Sequence, residues 1–133
     1  GGNYGWQLRE GTFATAFAVT GDKNAVGVYE LPANDDPSFI YPVAQYDRTD
    51  GRAISSGFVY EGTAIPELVG KYVFSELVRG RLFYADVDDL ELGMQASIYE
   101  LILFHDGAEI NLLDEFGQPN PFVPGTLRAD LRL

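Results

Sequence analysis

The chain contains no cysteine. Disulfides, thiolate zinc sites and cysteine nucleophiles are therefore excluded. It has one histidine, His105, and one tryptophan, Trp6, so a centre built from several imidazoles is excluded as well. Positive charge is scarce: 9 Lys and Arg stand against 20 Asp and Glu, a formal net charge of −11. Nucleic-acid binding needs clustered cations on phosphates, and this balance argues against it and against anionic membrane surfaces. No apolar run approaches the roughly 18 residues of a spanning helix, so no membrane insertion is expected. Phosphate loops, zinc helices and Asn-x-Ser/Thr acceptors do not occur, and Ser55-Ser56-Gly57 is not a nucleophile elbow. The acidic pairs and runs Asp35-Asp36 and Asp86-Val87-Asp88-Asp89 lack the spacing of a calcium loop and read as solvated turn charge.

What the chain does have is material for sheets. Its 133 residues suffice for one domain with a real core. Aromatics reach 14%, and 15 glycines with 7 prolines supply turns. Residues 13–20 read as a strand, although Ala14, Ala16 and Ala18 also suit a helix. Gly21 to Asn24 turns the chain into a short strand over Val26–Leu31, and Pro32 to Pro37 is a loop. Residues 39–47 are expected to be extended.

The clearest unit follows the Asp50-Gly51 turn. Strands are expected at 53–60, 71–76, 80–86 and 96–104, divided by the Pro66–Gly70 and Arg79-Gly80 turns. Gly57 inside the first of these marks a close approach of backbone or ligand. Four strands in about 50 residues is the repeat of a propeller blade. Ala108–Leu113 suits a short strand, and the prolines of 117–124 are expected to exclude a ladder there. Residues 127–133 alternate Leu127, Ala129, Leu131 and Leu133 against Arg128, Asp130 and Arg132. No sustained helical period occurs. The expected fold is all-β, a partial β-propeller: a partial blade over 1–47, a complete four-stranded blade over 53–104, and the start of the next blade over 108–133, with 127–133 as an inner strand. A propeller closes with at least about four blades, so the chain reads as a piece of a larger protein. Open sheet edges are expected to be buried in a homodimer or swapped homo-oligomer.

Three motifs occur in order: Gly1-Gly2-Asn3-Tyr4-Gly5-Trp6-Gln7, then Ile54-Ser55-Ser56-Gly57-Phe58-Val59-Tyr60-Glu61-Gly62, then Pro66-Glu67-Leu68-Val69-Gly70-Lys71-Tyr72-Val73-Phe74-Ser75-Glu76 followed by Gly80-Arg81-Leu82. On these residues the chain resembles the C-terminal part of the glucose/sorbosone dehydrogenase family. The family comprises soluble six-bladed propellers and includes sugar dehydrogenases dependent on pyrroloquinoline quinone (PQQ). The resemblance implies oxidation of an aldose sugar, with hydride passing to the quinone, a calcium ion, and a periplasmic or extracellular setting.

The same resemblance implies where a site would lie. PQQ carries three carboxylates, and the family meets them with a lysine before the third strand and an Arg-x-Arg-Asp pattern near the end. Here the lysine position falls on Val78, with Arg79 beside it, and the two arginine positions fall on Leu127 and Ala129, with Arg128 between them. Alternation puts Arg128 on the opposite face from both. Ser55 keeps the hydroxyl of the family's usual threonine, whereas Arg48, Glu61, Ser75 and Glu76 depart from its pattern. The candidate cofactor residues are therefore Ser55, Arg79 and Arg128. Tyr4 is the candidate calcium ligand through its main-chain carbonyl, with ordinary packing as the competing account. No catalytic base is assigned: His105 reads as a surface turn residue. Two readings stay open, a part of a sugar dehydrogenase that is inactive alone, and a non-catalytic propeller module that has lost the quinone.

Overall fold

A computed structural model describes residues 1–116 together with the backbone of 118–119 and 127–128. The fold is all-β: antiparallel sheets of three, four and two strands, with two five-residue helices. The chain divides into two compact units, one of residues 1–45 with 91–95 and one of residues 46–90 with 96–133.

The first unit holds strands β1 (Arg9–Glu10), β2 (Phe13–Thr15) and β3 (Val28–Tyr29), paired antiparallel in the order β1-β2-β3. The strand expected over 13–20 stops at Thr15, and Ala16–Thr20 forms helix α1. Both ends of α1 are specified locally. Thr15 Oγ1 accepts from the Ala18 N–H at 3.2 Å, and Gly21 at φ 74° closes the last turn through its N–H on the Phe17 carbonyl. Only Val28 and Tyr29 of the 26–31 strand find partners, opposite Thr15 and Ala14. Residues 39–45 belong to no strand. They are tied down by side-chain and backbone bonds instead: Gln45 receives the Thr12 N–H at 2.9 Å, and the Ile40 N–H meets the Asn3 carbonyl at 2.8 Å. Ala14 and Ala16 are buried, and Arg9 is buried against Asp35 and the Phe39 ring.

The second unit is dominated by β4 (Ile54–Val59), β5 (Lys71–Glu76), β6 (Arg81–Asp86) and β7 (Tyr99–Leu101), an antiparallel sheet in sequence order. The β5–β6 ladder runs unbroken from Lys71↔Asp86 to Glu76↔Arg81. The rings of Phe74 and Phe83 stack across it at 5.7 Å, and Tyr46 covers Phe83 at 5.4 Å. These rings form the core of this unit; Phe74, Phe83 and Ala85 are almost fully buried. Gly57 lies opposite Phe74, where a Cβ would come within 2.7 Å of the Tyr72 ring and 2.8 Å of Phe74 Cβ. The close approach at Gly57 is thus made by the neighbouring strand.

The fourth strand is shorter than the sequence suggests. After Leu101 the chain leaves the sheet, and β8 (Leu103–His105) pairs with β9 (Ala108–Ile110) in a separate hairpin. The Asp106-Gly107 turn, with φ of 50° and 80°, makes this local pairing the nearest one available. Helix α2 (Leu112–Phe116) follows, so the strand expected over 108–113 ends at Ile110. A ladder also forms where prolines argued against one: β10 (Gln118–Pro119) pairs with β11 (Leu127–Arg128), Pro119 facing Leu127. Proline loses only its donor; its carbonyl remains, and a two-residue edge pairing tolerates that. Residues 129–133 of the expected inner strand lie outside the described residues.

Candidate functional site

The segments that carry two of the sequence-predicted cofactor residues lie at one end of the four-stranded sheet. The start of β4, the end of β5 and the start of β6 meet there, since Ile54 lies opposite Glu76 and Glu76 opposite Arg81. Ser55 is half-buried in β4 within an irregular stretch, where the register shifts between Ile54 and Gly57. Bulges of this kind re-aim side chains. Arg79 sits in the turn that joins β5 to β6. Arg128 is placed by its backbone on β11, opposite Gln118. Tyr4 belongs to the first unit and is 68% exposed.

The group that organises this end of the sheet is one that stands out in the sequence only as a departure from the family pattern. Glu76 has no exposed surface. Its Oε1 accepts from the backbone N–H groups of Arg52, Ala53 and Val78 at 2.9, 3.1 and 3.1 Å, and its Oε2 accepts from Arg79 N–H at 2.6 Å. Burial pushes the Glu76 carboxyl up, and the four N–H donors outweigh it, so its pKa lies below the usual carboxylate value. Gly51 makes room for it: a Cβ there would lie 2.4 Å from Glu76 Cγ. The signal in the sequence was Asp50-Gly51 lying shortly before the strand that pairs with Glu76, which is legible only once the pairing is known.

Three cations of this sheet are engaged. The Arg79 guanidinium donates to the carbonyls of Thr49 and Arg48. Arg81 holds Glu100 through two bonds, Nε–Oε1 at 2.7 Å and Nη2–Oε2 at 2.5 Å, donates to the Asp50 carbonyl at 2.6 Å, and lies 4.8 Å from the centre of the Phe83 ring. The bonds from Arg81 hold the Glu100 carboxyl below its usual pKa against the effect of burial. Lys71, at the far end of the ladder, pairs with Asp86. Val78, at the position where the resemblance expects a lysine, is an exposed apolar side chain.

A tricarboxylate cofactor needs cations that are not already satisfied, and Arg79 offers its guanidinium to main-chain oxygens. Arg79 is committed in this way, and Val78 carries no charge. Calcium requires six to eight oxygens, and Tyr4 is its candidate ligand. Asn3 next to it uses its carbonyl on Ile40 N–H and its Oδ1 on Gly5 N–H. Among the described residues no three acidic or imidazole groups converge on a point. His105 ends β8 at the tip of the hairpin and is exposed.

A cavity of about 300 Å³ adjoins this end of the sheet, lined by residues of β6, β7, β8 and β9, with Arg81, Glu100, Glu109 and Asp114 as its charged groups. Gly80 allows the wall to close. At φ 67° it brings its backbone against α2, where a Cβ would stand 2.7 Å from Leu113 N and 2.9 Å from Asn111 Oδ1. Asn111 Nδ2 in turn donates to the Arg79 carbonyl at 2.8 Å. Among the described residues the arrangement supplies an acidic recess. The chain matches no protein-family model, and no solved structure matches it.

Proposed function

We propose that this chain is part of an exported propeller similar to glucose/sorbosone dehydrogenases, with β4–β7 as one blade, and that it serves as a binding module without quinone chemistry. The observation that carries this reading is the state of Arg79. It stands beside Val78, where the resemblance expects the cofactor lysine, and its guanidinium closes a turn on the carbonyls of Thr49 and Arg48. Val78 beside it is an exposed apolar side chain, so the charge that the family places there is missing from that position.

The sheet supplies a surface suited to contacts. Phe58, Val73, Tyr84 and Tyr99 lie in register across the four strands, hence on one face. Phe58 and Tyr99 at the two ends of that row are half exposed. A homodimer would bury such a face, and light scattering on the purified chain is expected to give a dimer mass. A concentration-independent monomer would refute self-association.

The main reading is tested by calorimetric titration of PQQ in the presence of calcium, with a dye-linked aldose assay alongside. No heat of binding and no turnover are expected. Micromolar binding would overturn the proposal and restore the sugar dehydrogenase reading.

A further inference from the structure

All four hydrogen-bond neighbours of the buried Glu76 carboxylate are donors, and they come from two segments distant in sequence. Arg52 and Ala53 follow the 47–51 turn, while Val78 and Arg79 form the turn after β5. We propose that Glu76 is an acid-released clasp on the N–H groups of these two turns: ionised, it gathers them on one carboxylate, and protonated, it releases them, while the Arg79 guanidinium on the Thr49 and Arg48 carbonyls, the Leu77 N–H on the Ala53 carbonyl and the four-stranded ladder stay paired. This inference is independent of the family resemblance.

The argument is one of donor and acceptor balance. A carboxylate presents about four lone-pair sites and no donor, which suits four converging N–H groups. A neutral carboxyl turns one of those sites into an O–H, and each of the four neighbours already points a hydrogen at it. At least one N–H then loses its acceptor in a place with no exposed surface. The charged groups facing Glu76 favour the ionised form unevenly. Arg81 on β6 attracts it: the Arg81 pKa is raised first by the bonds to Glu100 and also by the charges of Asp50 and Glu76, whereas Tyr46 is held neutral by burial and then by the Glu76 charge. Because the folded pKa of Glu76 is depressed, the clasp is intact above the ordinary carboxylate pKa and is lost as pH falls through the folded value. The ladder does not depend on it: the β5–β6 pairs from Lys71↔Asp86 to Ser75↔Leu82 and the stack of Tyr46, Phe74 and Phe83 involve no Glu76 atom.

A second carboxylate acts in the same turn and must be separated from it. Asp47 Oδ1 accepts from Thr49 N–H at 2.7 Å and from Thr49 Oγ1, so the exchange of the Thr49 N–H follows Asp47 and not Glu76. The experiment is a pH titration of amide resonances with hydrogen exchange on the intact chain. The Arg52, Ala53, Val78 and Arg79 amides are expected to shift with one shared midpoint below the usual carboxylate range, and to lose protection while the β5–β6 amides keep theirs. In Glu76→Gln at neutral pH the carboxamide NH2 must face an N–H, so exchange at Arg79 is expected to rise by about tenfold. Separate midpoints for the four amides, loss of protection only together with the ladder, or an unchanged Arg79 rate in Glu76→Gln would overturn the clasp. If the variant does not fold, the wild-type titration still decides.

Discussion

Replacing Phe83 by alanine should remove the centre of the second unit. Phe83 is 4% exposed and stacks on Phe74 at 5.7 Å and on Tyr46 at 5.4 Å. It also lies under the Arg81 guanidinium at 4.8 Å. Truncation of a buried phenylalanine costs about 3–5 kcal/mol in lost transfer energy and residual cavity. Within that total, each lost ring pair accounts for about 0.5–1.5 kcal/mol beyond area burial. Among the described residues the buried Tyr46 hydroxyl finds no hydrogen-bond partner, so water entering the new space bonds to it and holds the cost toward the lower figure. Phe83→Leu, which keeps most of the volume and loses the stacking, should cost about 1–2 kcal/mol. The assay is urea unfolding followed by far-ultraviolet circular dichroism and by exchange of the β5–β6 amides. Trp6 belongs to the first unit, so its fluorescence is the wrong reporter. Phe104→Ala is the control: its side chain is 67% exposed, and a change within about 0.5 kcal/mol is expected. A loss below about 1.5 kcal/mol for Phe83→Ala, or one equal to that of Phe104→Ala, would refute the assignment of the core to this stack.

Other perturbations test the site. Gly80→Ala and Gly70→Ala form a matched pair, since both glycines have positive φ, 67° and 77°, but only at Gly80 would an added Cβ meet other atoms within 4 Å. Gly70→Ala should cost about 1–2 kcal/mol for the left-handed backbone alone, and Gly80→Ala distinctly more, with faster exchange at Leu112 N–H, which bonds the Gly80 carbonyl. Arg81→Lys loses the two-bond grip on Glu100 and should lower stability by about 0.5–1 kcal/mol in the same urea assay. The Glu100 carboxyl, depressed by Arg81, should titrate nearer its ordinary value in that variant, so its contribution to stability is lost at a higher pH as acid is added. A Glu100 midpoint unchanged by Arg81→Lys would contradict the pairing.

The sheet was legible because its signals are local. Alternation with punctuating Pro66, Gly70 and Gly80 located β5 at 71–76 and β6 to within a residue. Elsewhere short-range competitors took over. Thr15 and Gly21 cap a helix inside an apparent strand, and the Asp106-Gly107 turn draws residues 103–105 away from the sheet into their own hairpin. Residues 39–45 have the composition of a strand and join no ladder among the described residues, so isolated bonds such as those of Ile40 and Gln45 hold them. Periodicity reports which face of a segment is apolar; it carries no information about which partner is within reach.

The site was less legible than the sheet for a related reason. Ser55 and Arg79 were singled out by type and position, and the register does bring their segments to one end of the sheet. What they do there depends on oxygens that no residue name encodes. Arg79 finds main-chain carbonyls at Arg48 and Thr49, and Glu76 finds four main-chain N–H groups. A motif comparison scores Glu76 as a departure from an aspartate and stops there. The backbone explains why the longer acid suits this place: its two oxygens reach across to Arg52 and Ala53 on one side and to Val78 and Arg79 on the other. The gap is kept open by Gly51, where any side chain would meet Glu76 Cγ. Glu76→Asp, one methylene shorter, should therefore retain the bonds to Val78 and Arg79, two and three residues away, and lose those to Arg52 and Ala53. Amide exchange would show the two pairs separating. Equal loss at all four amides would mean that the carboxylate position, and not its reach, is what joins the turns.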